Sequence, residues 1–172
     1  FGGNEKGPVF VDTGFHTSSD VGDEPLMMAN SISVCVSRNR PKGAAFISTE
    51  KHLDCIVMDD GLQNPTLEKN LKIAVFDGKI GIGNGLLLPA GPMREKLNEG
   101  ITNIDLVIFN GEDETGLSSK IPSHIPIISG ELRPDDEVID QMKGRRVYGF
   151  AGIGNPSRFF KTLQHIGAEI TG

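Results

Sequence analysis

A chain of 172 residues is long enough for one ordinary domain, or one and a fraction, and its 37% hydrophobic and 23% charged content suits a soluble globular fold with a real core. The net charge of −6, with Lys and Arg scattered, excludes a nucleic-acid-binding face built on a basic stripe. No apolar run approaches the roughly 20 residues of a membrane-spanning helix, which leaves peripheral contact with a membrane open.

Residues 1–7 are polar and glycine-rich, a loop, and the chain opens on Phe rather than Met, as expected of a piece of something longer. Residues 8–11 (PVFV) read as a short strand. His16 to Ser19 supply turn chemistry ahead of Val21-Gly22-Asp23-Glu24-Pro25, and Leu26 to Ala29 form an apolar helical run. Asp23 is placed to cap that helix, with Pro25 inside its first turn. Residues 31–37 (SISVCVS) alternate like a strand and end in Arg38-Asn39-Arg40, after which a helix is expected over 42–49.

Residues 54–64 (DCIVMDDGLQN) carry the most chemistry. Cys55, Ile56, Val57 and Met58 run straight into Asp59, Asp60 and Gly61. So short an apolar run, closed by a glycine turn, predicts a strand buried on both faces. Carboxylates at the carboxyl end of such a strand sit where open α/β sheets bind ligands. That is the Walker B arrangement, in which a strand-end acid helps to hold Mg²⁺. An acidic βα turn is the plain alternative. Two adjacent carboxylates weigh against it, since they repel unless a shared cation or proton relieves them. Cys35 and Cys55 both lie in strand-like runs, consistent with reduced core cysteines of a cytosolic protein.

Four further strands are expected at 71–76, 104–109, 125–128 and 146–150, and their alternation with helical crossovers predicts an α/β fold with a mostly parallel sheet. Residues 129–143 turn polar, with a Pro-Asp-Asp turn and a brief helix, and mark the best linker. The expected organisation is therefore a first α/β domain over 1–128, a linker over 129–143, and the start of a second, smaller α/β domain over 144–172. In that last piece Asn155 caps a helix, Pro156 takes its first position and Gly167 ends it. Phe159, Phe160, Leu163 and Ile166 form its core face.

Other motifs carry less. Gly81-Ile-Gly-Asn-Gly85 fails the dinucleotide spacing, which would need glycine at Leu86 and a helix after it, so a shaped loop is expected. Gly152-Ile-Gly154 could present backbone N–H groups to an anion, but tight-turn glycines without a ligand are the commoner case. Arg94-Glu95 reads equally as a substrate contact or a solvated pair. His52, His124 and His165 lack metal-ligand spacing. Nowhere does Gly-x-x-x-x-Gly-Lys-Ser/Thr occur, the phosphate loop that a Walker B strand normally serves.

At Asp59-Asp60-Gly61-Leu62-Gln63 the sequence resembles the tetraacyldisaccharide 4′-kinases of lipid A biosynthesis. The likeness continues, in order, through Gly2-Gly3, Val21-Gly-Asp-Glu-Pro-Leu26, Arg40, Gly83-Asn-Gly-Leu-Leu-Leu-Pro-Ala-Gly-Pro-Met-Arg-Glu95, Ser129-Gly-Glu-Leu132 and Phe150-Ala-Gly-Ile-Gly-Asn-Pro156, with Phe159-Phe160. The resemblance implies a P-loop α/β kinase domain joined by a short two-stranded linker to a smaller α/β domain. It implies transfer of the ATP γ-phosphate, with Mg²⁺, to the 4′-hydroxyl of a lipid disaccharide 1-phosphate, peripherally at the cytoplasmic face of a Gram-negative inner membrane. It also implies a phosphate loop upstream of Gly2 and an Asp-His-His stretch beyond residue 172, so the chain is expected to be a fragment that is inactive alone. Asn64 stands where many relatives carry His.

Carried over by resemblance, Asp23 is the candidate base and Arg40 neutralises phosphate charge. Asp59 and Gln63 serve the nucleotide, and Asp59 and Asp60 hold Mg²⁺, with Glu24 a weaker ligand; Asp60 is also placed in the catalytic set. Acyl chains would meet apolar surface near 81–93. Two other readings stay open: a non-catalytic or lipid-binding remnant, and another P-loop-type nucleotide-binding protein. A GTPase-type switch is disfavoured because no Asn-Lys-x-Asp string occurs.

Overall fold

The computed structural model of the chain describes residues 3–50, 53–153 and 156–171, which fall into two compact units, Phe1–Ile73 and Ala74–Gly172.

In the first unit a short strand β1 (Val9–Phe10) pairs antiparallel with β2 (Cys35–Val36), Val9 opposite Val36. Helices α1 (Ser18–Val21), α2 (Asp23–Met28) and α3 (Arg40–Glu50) complete it. The rings of Phe10 and Phe46 lie 5.2 Å apart and pack β1 against α3. At the start of α1, the Thr17 amide and hydroxyl both donate to the Asp20 carboxylate, at 2.8 and 2.7 Å. Those bonds, the hydroxyl's first, hold the Asp20 carboxyl below its ordinary range. Gly22, at φ 95°, closes α1 and opens α2 in a single residue, a conformation that a side chain would strain.

Three expectations are corrected in this unit. Asp23 is the first residue of α2 and not its cap, because Gly22 occupies that position. The strand expected over 31–37 contracts to the two residues that β1 reaches. Residues 55–58 form no strand at all. A strand is defined by hydrogen bonding to a neighbour, and no described segment pairs with this run. Ile56 and Val57 are accordingly exposed, by 46% and 88%, and Cys55 is exposed too, not a core thiol.

The second unit holds the larger sheet, of order β3 (Ile73–Asp77), β4 (Leu106–Asn110), β5 (Ile127–Gly130), parallel as the alternation of elements predicts. β4 and β5 are in register from Val107 opposite Ile127 to Asn110 opposite Gly130. Alternate residues of β4, Val107 and Phe109, are fully buried, as is Leu117 of the 3-10 turn Leu117–Lys120. Phe76 on β3 meets Phe109 at 6.0 Å between ring centroids. Ile101, Ile104, Ile121 and Ile125 complete this core, which the short helix α4 (Leu97–Gly100) enters from upstream. Truncating a buried side chain such as Leu117 to Ala costs about 2–5 kcal/mol.

Within the same unit, α5 (Asp136–Met142) starts at Asp135, whose carboxylate accepts from the Glu137 amide at 3.1 Å, as the Pro-Asp-Asp sequence suggests. β6 (Arg146–Val147) pairs parallel with β7 (Glu169–Ile170), and α6 (Pro156–His165) makes the crossover. Pro156 is the first helical residue, and Gly167 ends the helix at φ 83°. The expected cap Asn155 and Gly154 of the glycine pair lie outside the described residues.

Candidate functional site

The acidic turn of the first unit is built by local chemistry. Asp59 and Asp60 form a turn, and Asp60 sits at φ 47°, the left-handed region that Asp tolerates better than most residues. Gly61 follows, buried, and its carbonyl accepts from the Asn64 amide at 3.0 Å. Asn64 Oδ1 in turn accepts from the Thr66 amide and hydroxyl, at 2.9 and 2.6 Å, and the Lys69 ammonium donates to the Asn64 carbonyl. Asn64 is thus a turn former, a task its amide performs without exchanging a proton. The carboxylates project from an exposed turn where a strand end was expected.

Arg40, the first residue of α3, reaches this turn. Its Nη1 donates to the Asp59 carbonyl at 3.1 Å across 19 residues of sequence. One N–H of five is used, so the rest of the fork stays available for a planar or tetrahedral oxyanion. The structure therefore brings together Arg40, Asp59 and Asp60, with Gln63 exposed on the succeeding turn.

Asp23 and Glu24 both lie exposed in the first turn of α2, where the helix dipole favours their charge. Neither carboxylate bonds another described residue, so no contact joins them to the Arg40–Asp60 group. Asp59 and Asp60 offer the hard oxygen donors that suit Mg²⁺, which takes one or two carboxylates and completes its shell with phosphate oxygens and water. Among the described residues, no group of three or more His, Cys, Asp or Glu converges on one point.

The Gly-rich stretch in the second unit is a shaped loop, as expected. Asn84 organises it: Nδ2 donates to the Ala90 carbonyl at 2.9 Å, and Oδ1 accepts from the Leu86 amide at 3.1 Å. Gly91 packs so closely on this bracket that a Cβ would lie 2.2 Å from Asn84 Oδ1. Leu88 N–H to Met93 O and Met93 N–H to Leu86 O, at 2.9 and 3.2 Å, then brace the loop across its neck. The product is a braced loop that carries three consecutive exposed leucines, Leu86, Leu87 and Leu88.

Sequence reasoning passed over Asp77, Asn110 and Arg158. The Arg158 guanidinium meets Asp77 Oδ2 at 3.3 Å and Asn110 Oδ1 at 2.8 Å. The signal was present, because Asp77 and Asn110 close their strands as a polar residue does at a ligand-binding rim. No helix among the described residues is long and apolar enough to cross a membrane.

The family model described as Tetraacyldisaccharide-1-P 4'-kinase matches residues 1–172. Among curated proteins, a Tetraacyldisaccharide 4'-kinase of Rhodospirillum rubrum is 44% identical over 99% of the chain and 52% of its own length. Proteins of the same description from Methylobacterium nodulans and Rhodopseudomonas palustris are 44% and 43% identical, each over 99% of the chain and 51% of their own length. The chain thus spans about half the length of the curated relatives it matches. No solved structure matches it significantly.

Proposed function

The chain belongs to the Tetraacyldisaccharide-1-P 4'-kinase family, and from that premise we propose that the protein containing it phosphorylates the 4′-hydroxyl of a tetraacyldisaccharide 1-phosphate at the expense of ATP. The observation that carries the reading is the juxtaposition of Arg40 with the Asp59–Asp60 turn. Phosphoryl transfer consists mainly of positioning and charge neutralisation, and a guanidinium tied to the backbone of a turn that carries two acids supplies both signs of charge.

In this reading the free N–H groups of Arg40 bind oxygens of the transferring phosphate. Asp59 and Asp60 would hold Mg²⁺, with Glu24 a weaker ligand, and Gln63 would contact the nucleotide. When bound, the ion neutralises charge on the β- and γ-phosphates. Asp23 would accept the proton of the attacking hydroxyl, its exposed carboxylate being free of competing side-chain partners among the described residues. The braced loop at 86–88 offers a preformed apolar surface for an acyl chain or the cytoplasmic face of a bilayer, supporting peripheral attachment. The division into a kinase-like part over 1–128, a linker over 129–143 and a second domain from 144 belongs to the same proposal. The 172 residues hold no phosphate-cradling Gly-x-x-x-x-Gly-Lys-Ser/Thr string, so by themselves they should not turn over.

The test is Asp60→Asn in the full-length protein, with turnover and lipid binding measured separately. Loss of one electrostatic contact that strengthens in the transition state costs on the order of 10²-fold in rate. Lipid binding should change far less. A normal rate in both Asp59→Asn and Asp60→Asn would make the pair a structural turn and remove the assignment.

A further inference from the structure

Arg158 is the third residue of α6, and its side chain leaves its own helix for the ends of two strands. Nη1 lies 3.3 Å from Asp77 Oδ2, 81 residues away in sequence, and Nη2 lies 2.8 Å from Asn110 Oδ1, 48 residues away. Asp77 is the last residue of β3 and Asn110 the last of β4, so one planar fork spans two neighbouring strand ends on the carboxyl rim of the sheet.

Both acceptors are held in place. Asp77 uses its other oxygen, Oδ1, to accept from the amides of Lys79 and Ile80 at 2.9 and 3.2 Å, which turns Oδ2 toward Arg158. The Asn110 carbonyl accepts from the Gly78 amide at 3.1 Å, and the next amide, Gly111, donates to the Gly130 carbonyl at 2.7 Å. The three strand ends are thereby stitched together under the guanidinium. On the other side, α6 is packed on the segment that leads out of β6: a Cβ at Gly149 would lie 2.9 Å from the Phe160 ring. Arg158 is the polar grip from that helix to the rim.

An isolated, partly exposed ion pair contributes little, and a lone Arg–Asp contact would support nothing more. A fork that engages two fixed acceptors from different strands is different, because it specifies orientation as well as proximity. The carboxyl rim of a parallel sheet is where α/β proteins bind ligands, and phosphoryl transfer depends on holding its parts in register.

We propose that Arg158 is a positioning residue that registers α6 on the carboxyl rim of β3 and β4 through Asp77 and Asn110, and so holds the second α/β piece in place for the phosphoryl transfer proposed above, on which this inference rests. Arg158 itself touches no reacting atom. A lysine can meet Asp77 as a point charge but cannot span both acceptors.

The experiment uses the full-length protein and two readouts, amide hydrogen exchange and steady-state kinetics, on Arg158→Ala, Arg158→Lys, Asp77→Asn and Asn110→Ala. With the grip removed, exchange along α6 should speed up about tenfold, the equilibrium effect of losing charge-assisted hydrogen bonds, while β4 amides stay protected. The kcat should fall by at least about tenfold with KM for ATP nearly unchanged, since small misplacements are costly to rate. Lysine should recover part of both effects. Unaltered α6 exchange in Arg158→Ala, or an unaltered kcat with accelerated exchange, overturns the proposal. If Arg158→Ala does not fold, Asp77→Asn and Asn110→Ala each remove one acceptor and decide the matter by the same two readouts. A wild-type protein that phosphorylates no lipid disaccharide phosphate sinks the kinase reading instead, and the exchange measurement still judges the grip.

Discussion

The guanidinium of Arg40 donates Nη1 to the main-chain carbonyl of Asp59 at 3.1 Å, which ties the first residue of α3 to the turn that presents Asp59 and Asp60. The contact is to backbone, so Arg40 is fixed to the turn through the main chain and not through a carboxylate. A side-chain salt bridge would have used up the charge of both partners. Backbone tethering instead holds Arg40 in position and leaves most of its donors for an anionic ligand.

Arg40→Ala in the full-length protein is expected to lower kcat/KM for ATP by about 10²-fold, the scale for one lost electrostatic contact to a transferring phosphate. Arg40→Lys should recover little of it, because an ammonium cannot hold the carbonyl and a phosphate oxygen with one rigid fork. Steady-state kinetics with varied ATP check this. Unchanged kinetics in a folded Arg40→Ala protein would leave Arg40 a tether for the turn and nothing more.

Residues 104–109 and 55–58 show what the sequence reveals and what it hides. Both are short apolar runs, and the first becomes β4 with Val107 and Phe109 buried, because β3 and β5 flank it. The second has the same pattern but no partner strand among the described residues, so Ile56 and Val57 face solvent. Apolar periodicity records suitability for burial, whereas a ladder needs a neighbour that no local pattern encodes. A turn at Gly61 was legible, whereas the paired acids pointed to a strand end that does not form; α6 was legible from Pro156, its apolar face and Gly167. The grip of Arg158 was not, since its partners lie 81 and 48 residues away and nothing local pairs them with it.

The position of Asp23 separates a base from a charge that merely suits its helix. Gly22 is the N-cap, so neither Asp23→Asn nor Asp23→Ala removes a capping bond. Either change should cost only the charge–dipole term, roughly 0.3–1 kcal/mol. A base should lose about 10²–10⁴-fold in rate in both variants, and the acidic limb of the pH–rate profile should flatten. Rate and melting temperature measured on the two full-length variants decide it. A folded Asp23→Asn protein of normal activity would move the search for the base to Asp59 and Asp60.

The two thiols should react in a fixed order. Cys35 is half-buried in β2, and that burial pushes its pKa up, which lowers the thiolate fraction at neutral pH. Cys55 is exposed in the run that forms no strand. Iodoacetamide under native conditions should therefore alkylate Cys55 well before Cys35, followed by peptide mass spectrometry over time. Preferential labelling of Cys35 would mean that 55–58 is covered in solution.

Asp113 supplies a pH dependence whose sign can be worked out. Its carboxylate accepts from the Ser118 amide at 2.7 Å, and from the Thr115 amide and hydroxyl at 3.0 and 2.7 Å. These bonds, the Ser118 amide's first, hold the folded pKa far below the ordinary carboxylate range. A carboxyl with a depressed folded pKa binds more proton when unfolded, so its stabilisation is complete above the unfolded value of about 3.9 and disappears as pH falls toward the folded one. The donors belong to the Leu117–Lys120 turn and the loop that leads into it, and Leu117 is buried in the core, so the loss should reach the global melting temperature. Asp113→Asn should melt lower than wild type at neutral pH, and the gap should narrow as the solution is taken from about pH 5 to about pH 2. Calorimetric melting of both proteins across that range checks it. A gap that stays constant on acidification would show that the loop is held by the shape of residue 113 and not by its charge.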